Sequence, residues 1–381
     1  MILSMKIKKI LICLIIYLIM FPYIVSATVP QSTSEDSNSI ENSRASLSIN
    51  APCALLIERK TGDVLYDKNS TQKMYPASTV KIMTAILTLE HHSLTDIVTV
   101  NQSALDSVPS GYSTSQIIVG ENLTIQDLLY ALLLPSGNDA ANVLAESVAG
   151  NIENFAGMMN KKASDIGCLN TNFTNPSGIH DENMYTTAYD LALIAQYAMN
   201  IDNFRTIVST PTYTLPSSNV YPNSDRVLKN SNHLIHSTSS HYYQYATGIK
   251  TGYTDPAQNC LVAGAMQNDV EFIVVILGST ASNLGNQAKF VDASVLFNFG
   301  FEHYLDYYIN LASNSSSSFL ELFHINSLVD ANNKPRLGYI AYLVARTILI
   351  LIAILYLVRR FIKKVKRYKY NRTHAKYKYR Y

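Results

Sequence analysis

The chain has 381 residues, 48% of them hydrophobic, enough for one large domain or two ordinary ones with a real core, and this excludes a disordered protein. Its net charge of +2 hides a division: the first 27 residues carry +3 and residues 359–381 carry +11, which leaves −12 between them. A basic nucleic-acid-binding face on the central part is therefore not expected.

Lys6, Lys8 and Lys9, the apolar run Ile10 to Tyr23 and then Val25-Ser26-Ala27 have the layout of a signal peptide cut after Ala27. An uncleaved anchor helix is the alternative. Residues 28–50 are rich in Ser, Thr, Asn and Glu and read as a solvated linker. From Ala51 the pattern changes: Ala54 to Glu58, Thr61-Gly62-Asp63 and Val64 to Tyr66 predict a β-hairpin with a glycine turn. Pro76-Ala77-Ser78-Thr79-Val80-Lys81 then opens an apolar run through Leu89, a buried helix with a hydroxyl and an amine three residues apart on one face. Ser78 beside Lys81 is the smallest serine-acylation unit a helix carries. The bland reading is a capped core helix whose lysine reaches water.

A variable stretch with Pro109, Gly111 and Gly120 precedes a helix over Ile125 to Leu134, halted by Pro135. Ser136-Gly137-Asn138 follows on a tight connection before a helix to about Val148; it either points a hydroxyl and an amide into a cleft or caps that helix. Two more helices are predicted at 153–167 and 187–199, around the turn Asn175-Pro176-Ser177-Gly178. Residues 211–247 read as polar loop, and His233, His236 and His241 there lack the acids or cysteines of a zinc site. Three antiparallel strands follow, one ending in Gly248-Ile249-Lys250-Thr251-Gly252, then Cys260 to Met266 and Glu271 to Leu277; a helix at about 286–299 closes the domain. One sheet assembled from both ends of the domain is implied. Cys53, Cys168 and Cys260 form no disulfide or metal framework and are expected as buried thiols.

Residues 305–336 read as a short stalk, and Leu337 to Val358 as a membrane span. Its 22 residues give about 33 Å of helix, interrupted by Arg346 alone, followed by a basic cytoplasmic tail at 359–381. A helix lying in the interface is the alternative. Residues 28 to about 336 would then lie outside the cell.

Ser-x-x-Lys at 78–81, Ser-x-Asn at 136–138 and Lys-Thr-Gly at 250–252 stand in the order and separation of the serine penicillin-recognising enzymes. With Leu132 to Ala141, Asn175 to Gly178, Thr186 to Asp190 and Gly248 to Asp255, the chain from about Ala51 to Tyr304 resembles the D-alanyl-D-alanine carboxypeptidases, the low-molecular-mass penicillin-binding proteins. The resemblance implies an α/β, β-lactamase/transpeptidase-like fold whose antiparallel sheet is flanked by helices. It implies no cofactor or metal. The expected partners are a peptidoglycan stem peptide and β-lactam antibiotics. Ser78 would attack the carbonyl between two D-alanines, Lys81 would act as base, and Ser136 would pass the proton to the leaving amine. Asn138 would hold Lys81 and the substrate amide. Lys250, Thr251, Gly252 and Tyr253 would line an edge strand for the substrate, the N–H groups of Ser78 and Tyr253 forming the oxyanion hole.

Two departures stand out. Lys289 occupies the place where relatives tend to carry an arginine that favours the substrate's carboxylate; a solvated helix lysine is the alternative. The 32 residues 305–336 are too few for the β-rich domain that many relatives carry, which would set the site closer to the membrane. A class A β-lactamase would need a Glu-x-x-Leu-Asn loop between Asn138 and Lys250, and none exists. An endopeptidase uses the same residues, and a penicillin-sensing or wall-binding module without catalysis would not need Ser78, Lys81 and Lys250 together.

Overall fold

Cys53–Glu58 (β1) and Val64–Lys68 (β2) form the predicted hairpin, with Gly62 at φ +79° in its turn. The computed structural model describes residues 42–304 except 224 and 281–283. All of them fall in one compact unit, Thr33–Tyr307. The signal-peptide, stalk, membrane-span and tail readings, and the linker up to residue 41, lie outside the described residues. Among the described residues no helix is long and apolar enough to cross a membrane.

Pro76 leads into a 3-10 turn, Ala77–Val80, which continues as helix α1, Lys81–His91. Every residue from Lys81 to Thr88 is buried, so α1 threads the core as its apolar composition predicts. The variable stretch holds small elements that its sequence did not announce: Ile97–Thr99 (β3), Gln102–Asp106 (α2) and Asn122–Thr124 (β4), with β3 and β4 paired. Helix α3, Ile125–Leu133, opens on a capping box in which Thr124 and Asp127 satisfy each other's backbone N–H, and ends before Pro135. Asn138–Ala149 (α4), Ile152–Ile166 (α5) and Ala188–Ala198 (α6) match the predicted helices within a few residues. Asp202–Val208 (α7) lies in a stretch for which no element was predicted, and the paired strands Thr212–Thr214 (β5) and Val227–Lys229 (β6) lie where only loop was expected. Ala246–Thr254 (β7), Gln258–Gln267 (β8) and Val270–Ser279 (β9) are the predicted meander, and α8 covers residues 288–304, longer than expected. Asn268 and Asp269, at φ +51° and +64°, make the two-residue turn between β8 and β9.

The five long strands form one antiparallel sheet in the order β2-β1-β9-β8-β7. Strand β1 pairs with β9 from Cys53 opposite Leu277 to Glu58 opposite Phe272, so the sheet is assembled from both ends of the domain as predicted. Side chains alternate between two cores. Leu55, Ile57, Ile273 and Val275 face the helices α1 and α3 to α6, whereas Leu56, Phe272, Val274 and Ile276 face Phe290, Leu296 and Phe297 of α8. Burying each such aliphatic or aromatic side chain contributes about 1.5–3 kcal/mol, which explains why these strands read as unbroken apolar runs. Asp292 on α8 accepts from the backbone N–H groups of Asn50 and Ala51, fixing the start of the domain to its end. Cys53, Cys168 and Cys260 are free and buried. Strand β7 is left at the sheet's edge, beside the turn that carries Ser78.

Candidate active site

Ser78 does not cap a helix. It lies inside the 3-10 turn, whose first residue Ala77 has φ +47°, a strained conformation for alanine. In a 3-10 turn side chains at i and i+3 eclipse, which brings Lys81 Nζ to 3.1 Å from Ser78 Oγ. Nζ also donates to Asn138 Oδ1 at 2.7 Å and to the Ser177 carbonyl at 2.5 Å. Lys81 is fully buried, and among the described residues no carboxylate is bonded to it. Burial first, then the charge of Lys250, drive its pKa well below that of an ordinary lysine, against a smaller opposing pull from Asp139.

The Ser136-Gly137-Asn138 connection does not cap α4 through a side chain either; the cap position is Gly137, and Asn138 is the first helical residue. Ser136 adopts φ +67°, and its Oγ is buried without a hydrogen-bond partner among the described residues. Asn138 Nδ2 donates to the Ser113 carbonyl at 3.0 Å, and this fixes which way its amide faces and so points Oδ1 at Lys81. Next to it, Asp139 accepts from the Ser115 N–H at 2.9 and 2.8 Å, and burial raises its pKa despite those bonds. The 113–115 segment is thereby tied to the start of α4.

On β7, Lys250 is buried and its Nζ donates to the Thr251 carbonyl at 3.0 Å. Burial, with the charge of Lys289 second, lowers its pKa to about 7. The Thr251 hydroxyl meets that of Ser231 at 2.5 Å. A Cβ at Gly252 would stand 3.0 Å from Ser78 N and 3.1 Å from Ala77 Cβ. The space this glycine leaves thus admits the Ser78 turn. Gly178 does the same from the other side: a Cβ there would fall 2.0 Å from the Ala77 carbonyl oxygen, and its φ is +79°.

Lys289 is not a solvated helix lysine. It is buried, its Nζ donates to Asn259 Oδ1 at 3.0 Å, and desolvation lowers its pKa to about 8. Ser78, Ser136, Asn138, Thr251, Gly252, Tyr253 and Lys289 line one cleft of about 550 Å³, with Lys81 and Lys250 buried beside it. Every residue singled out in the three motifs is therefore brought to one place. The same cleft includes Ser231 and His180, which local sequence pattern did not mark. The backbone carbonyls of Ser113 and Ser177 carry no side-chain signal at all, although the turn around Ser177 was legible. His233, His236 and His241 line a different cavity with Lys229 and Gln287, and no metal-holding group of three forms among the described residues.

The family model for D-alanyl-D-alanine carboxypeptidase matches residues 39–281. The chain is 33% identical over 301 residues to D-alanyl-D-alanine carboxypeptidase DacF of Bacillus subtilis, covering 78% of this chain and 72% of that one. It is 36% identical over 253 residues to the D-alanyl-D-alanine carboxypeptidase of Streptomyces sp. K15, covering 63% and 84%. The crystal structure of the Streptomyces K15 DD-transpeptidase superposes with a TM-score of 0.61 at 34% identity, over 67% of this chain and 98% of that one. A shared backbone, a matching family model and a cleft where a serine meets a buried lysine agree, and the chain belongs to the D-alanyl-D-alanine carboxypeptidase family.

Proposed function

We propose that this serine D-Ala-D-Ala carboxypeptidase removes the terminal D-alanine of peptidoglycan stem peptides through an ester on Ser78, and that β-lactams acylate the same oxygen. The observation that carries the reading is the environment of Lys81 Nζ. A neutral amine has two N–H donors and one lone pair; Asn138 Oδ1 and the Ser177 carbonyl take the donors, which leaves the lone pair for the Ser78 hydroxyl proton. Ser78 Oγ then forms a bond to the scissile carbonyl carbon, and the C–N bond to the last D-alanine breaks. Ser136, whose hydroxyl has no hydrogen-bond partner among the described residues, delivers a proton to the departing amine. Backbone N–H groups of Ser78 and Tyr253 face the developing oxyanion, a kind of donor worth about 10²–10³-fold each in rate. Water cleaves the ester and restores Ser78. Lys250, Thr251 and Lys289 supply the polar end of the cleft that receives the substrate's carboxylate.

Release of D-alanine from a pentapeptide ending in D-Ala-D-Ala, blocked by stoichiometric penicillin, is the direct test. A protein labelled by penicillin that released no D-alanine would contradict the reading. The name DD-transpeptidase on a similar structure favours one second reading, capture of the same ester by an amine; adding glycine to the assay and looking for the exchanged peptide separates the two.

Lys289 makes a pH-dependent contribution. Its charge is present below about pH 8 and lost above it, whereas an arginine stays charged. The ratio of kcat/KM for Lys289→Arg to that of wild type should therefore climb about fivefold between pH 8 and 9, as the wild-type charge titrates away. A ratio flat with pH would remove Lys289 from carboxylate binding.

The sequence pattern at the two ends supports a catalytic domain of residues 51–304 held outside the cell by the span at 337–358, with the tail inside. A tag placed after Tyr381 should be protected from protease added to intact cells; cleavage of the tag would overturn this topology.

A further inference from the structure

The cleft has a charge arrangement that the acylation chemistry does not use. Among the described residues lining it, Asp255 is the one carboxylate and Lys289 the one lysine or arginine. Asp255 stands in the turn between β7 and β8, exposed, and forms no salt bridge among the described residues. It is held in place: Tyr253 Oη donates to Asp255 Oδ1 at 2.8 Å, Gln258 Nε2 donates to its carbonyl, and the Ala257 N–H donates to Thr254 Oγ1 at 3.2 Å. Tyr253 beside it is 54% exposed, a wide apolar surface for a tyrosine.

The direction of the substrate follows from the site, and so this inference rests on acylation at Ser78. The scissile carbonyl sits at the N–H groups of Ser78 and Tyr253, and its leaving D-alanine points toward Ser136, Thr251 and Ser231. The acyl part must then run the other way along the edge of β7, past Thr254. An extended chain advances about 3.3 Å per residue, so the side chain before the two D-alanines comes alongside Asp255, two positions beyond Tyr253. In a stem peptide that is cross-linked through a side-chain amine, that residue is a diamino acid. We propose that Asp255 is a specificity-determining residue whose carboxylate receives the side-chain ammonium of this diamino acid, while the methylenes lie on Tyr253.

The pair is exposed, so its effect is modest and sensitive to salt. The test compares three acetyl-capped tripeptides X-D-Ala-D-Ala, with X as lysine, Nε-acetyl-lysine or meso-diaminopimelate. At low salt the wild-type kcat/KM should favour at least one free-amine peptide over the acetylated one by about threefold, fading at 0.5 M NaCl. The larger preference identifies which diamino acid the turn accepts. In Asp255→Asn the ratio should fall to about one, and in Asp255→Glu it should persist. Each ratio is internal to one protein and is not confounded by a change in folded fraction. A wild type that treats all three alike, or an Asp255→Asn protein that keeps the preference, would overturn the proposal. Failure of wild type to cleave any of the three peptides would instead refute the carboxypeptidase reading on which the proposal rests.

Discussion

The Ser78→Ala protein is expected to take up no fluorescent penicillin and to release no D-alanine. Removing the nucleophile of a serine hydrolase costs on the order of 10⁶ in kcat, so the loss should reach the limit of detection. The variant should remain folded, because Ser78 Oγ is bonded to Lys81 alone among the described residues and an alanine fits a turn where Ala77 already adopts φ +47°. A circular-dichroism melt close to wild type beside absent labelling is the result that supports the nucleophile assignment. Labelling that survived would move the nucleophile elsewhere.

Lys81→Met is expected to slow acylation by about 10²–10⁴-fold, the usual worth of a positioned general base. Lys81→Arg should be no better, since a guanidinium stays protonated at any working pH. The pH dependence has a definite sign. Burial and Lys250 lower the Lys81 pKa, so the neutral amine is the form present at high pH, and acylation should gain rate as pH rises through that pKa. This acid limb should vanish in Lys81→Met, whose residual rate is flat there. Measuring the second-order rate of penicillin acylation from pH 5 to 9 reads this limb without product release. An acid limb that persisted in Lys81→Met would assign the base to another group.

Much of this site was legible because its side chains sit at strong local boundaries. Pro76 and Pro135 mark the starts and stops that place Ser78 and Ser136, and the Gly252 strand reads as a strand through its neighbours β8 and β9. The sheet's assembly from both ends was legible for the same reason: β1, β8 and β9 are buried on both faces and read as continuous apolar runs. Less was legible where tertiary contact decides. Helix α7 has seven residues and β5 and β6 have three each, too short to show a period. The carbonyls of Ser113 and Ser177 act through backbone that any residue could supply. Local pattern alone left Lys289 open between two readings. Packing of α8 onto the sheet is what buries that lysine against Asn259 and turns it into the cleft.

The assignment of Ser78 as the acylated residue is tested most directly by digesting the penicillin-treated protein and locating the adduct by tandem mass spectrometry. The expected result is a single penicilloyl group on Ser78, in the peptide containing Pro76 to Lys81. An adduct on Ser136, on Ser231 or on no serine of the cleft would contradict it.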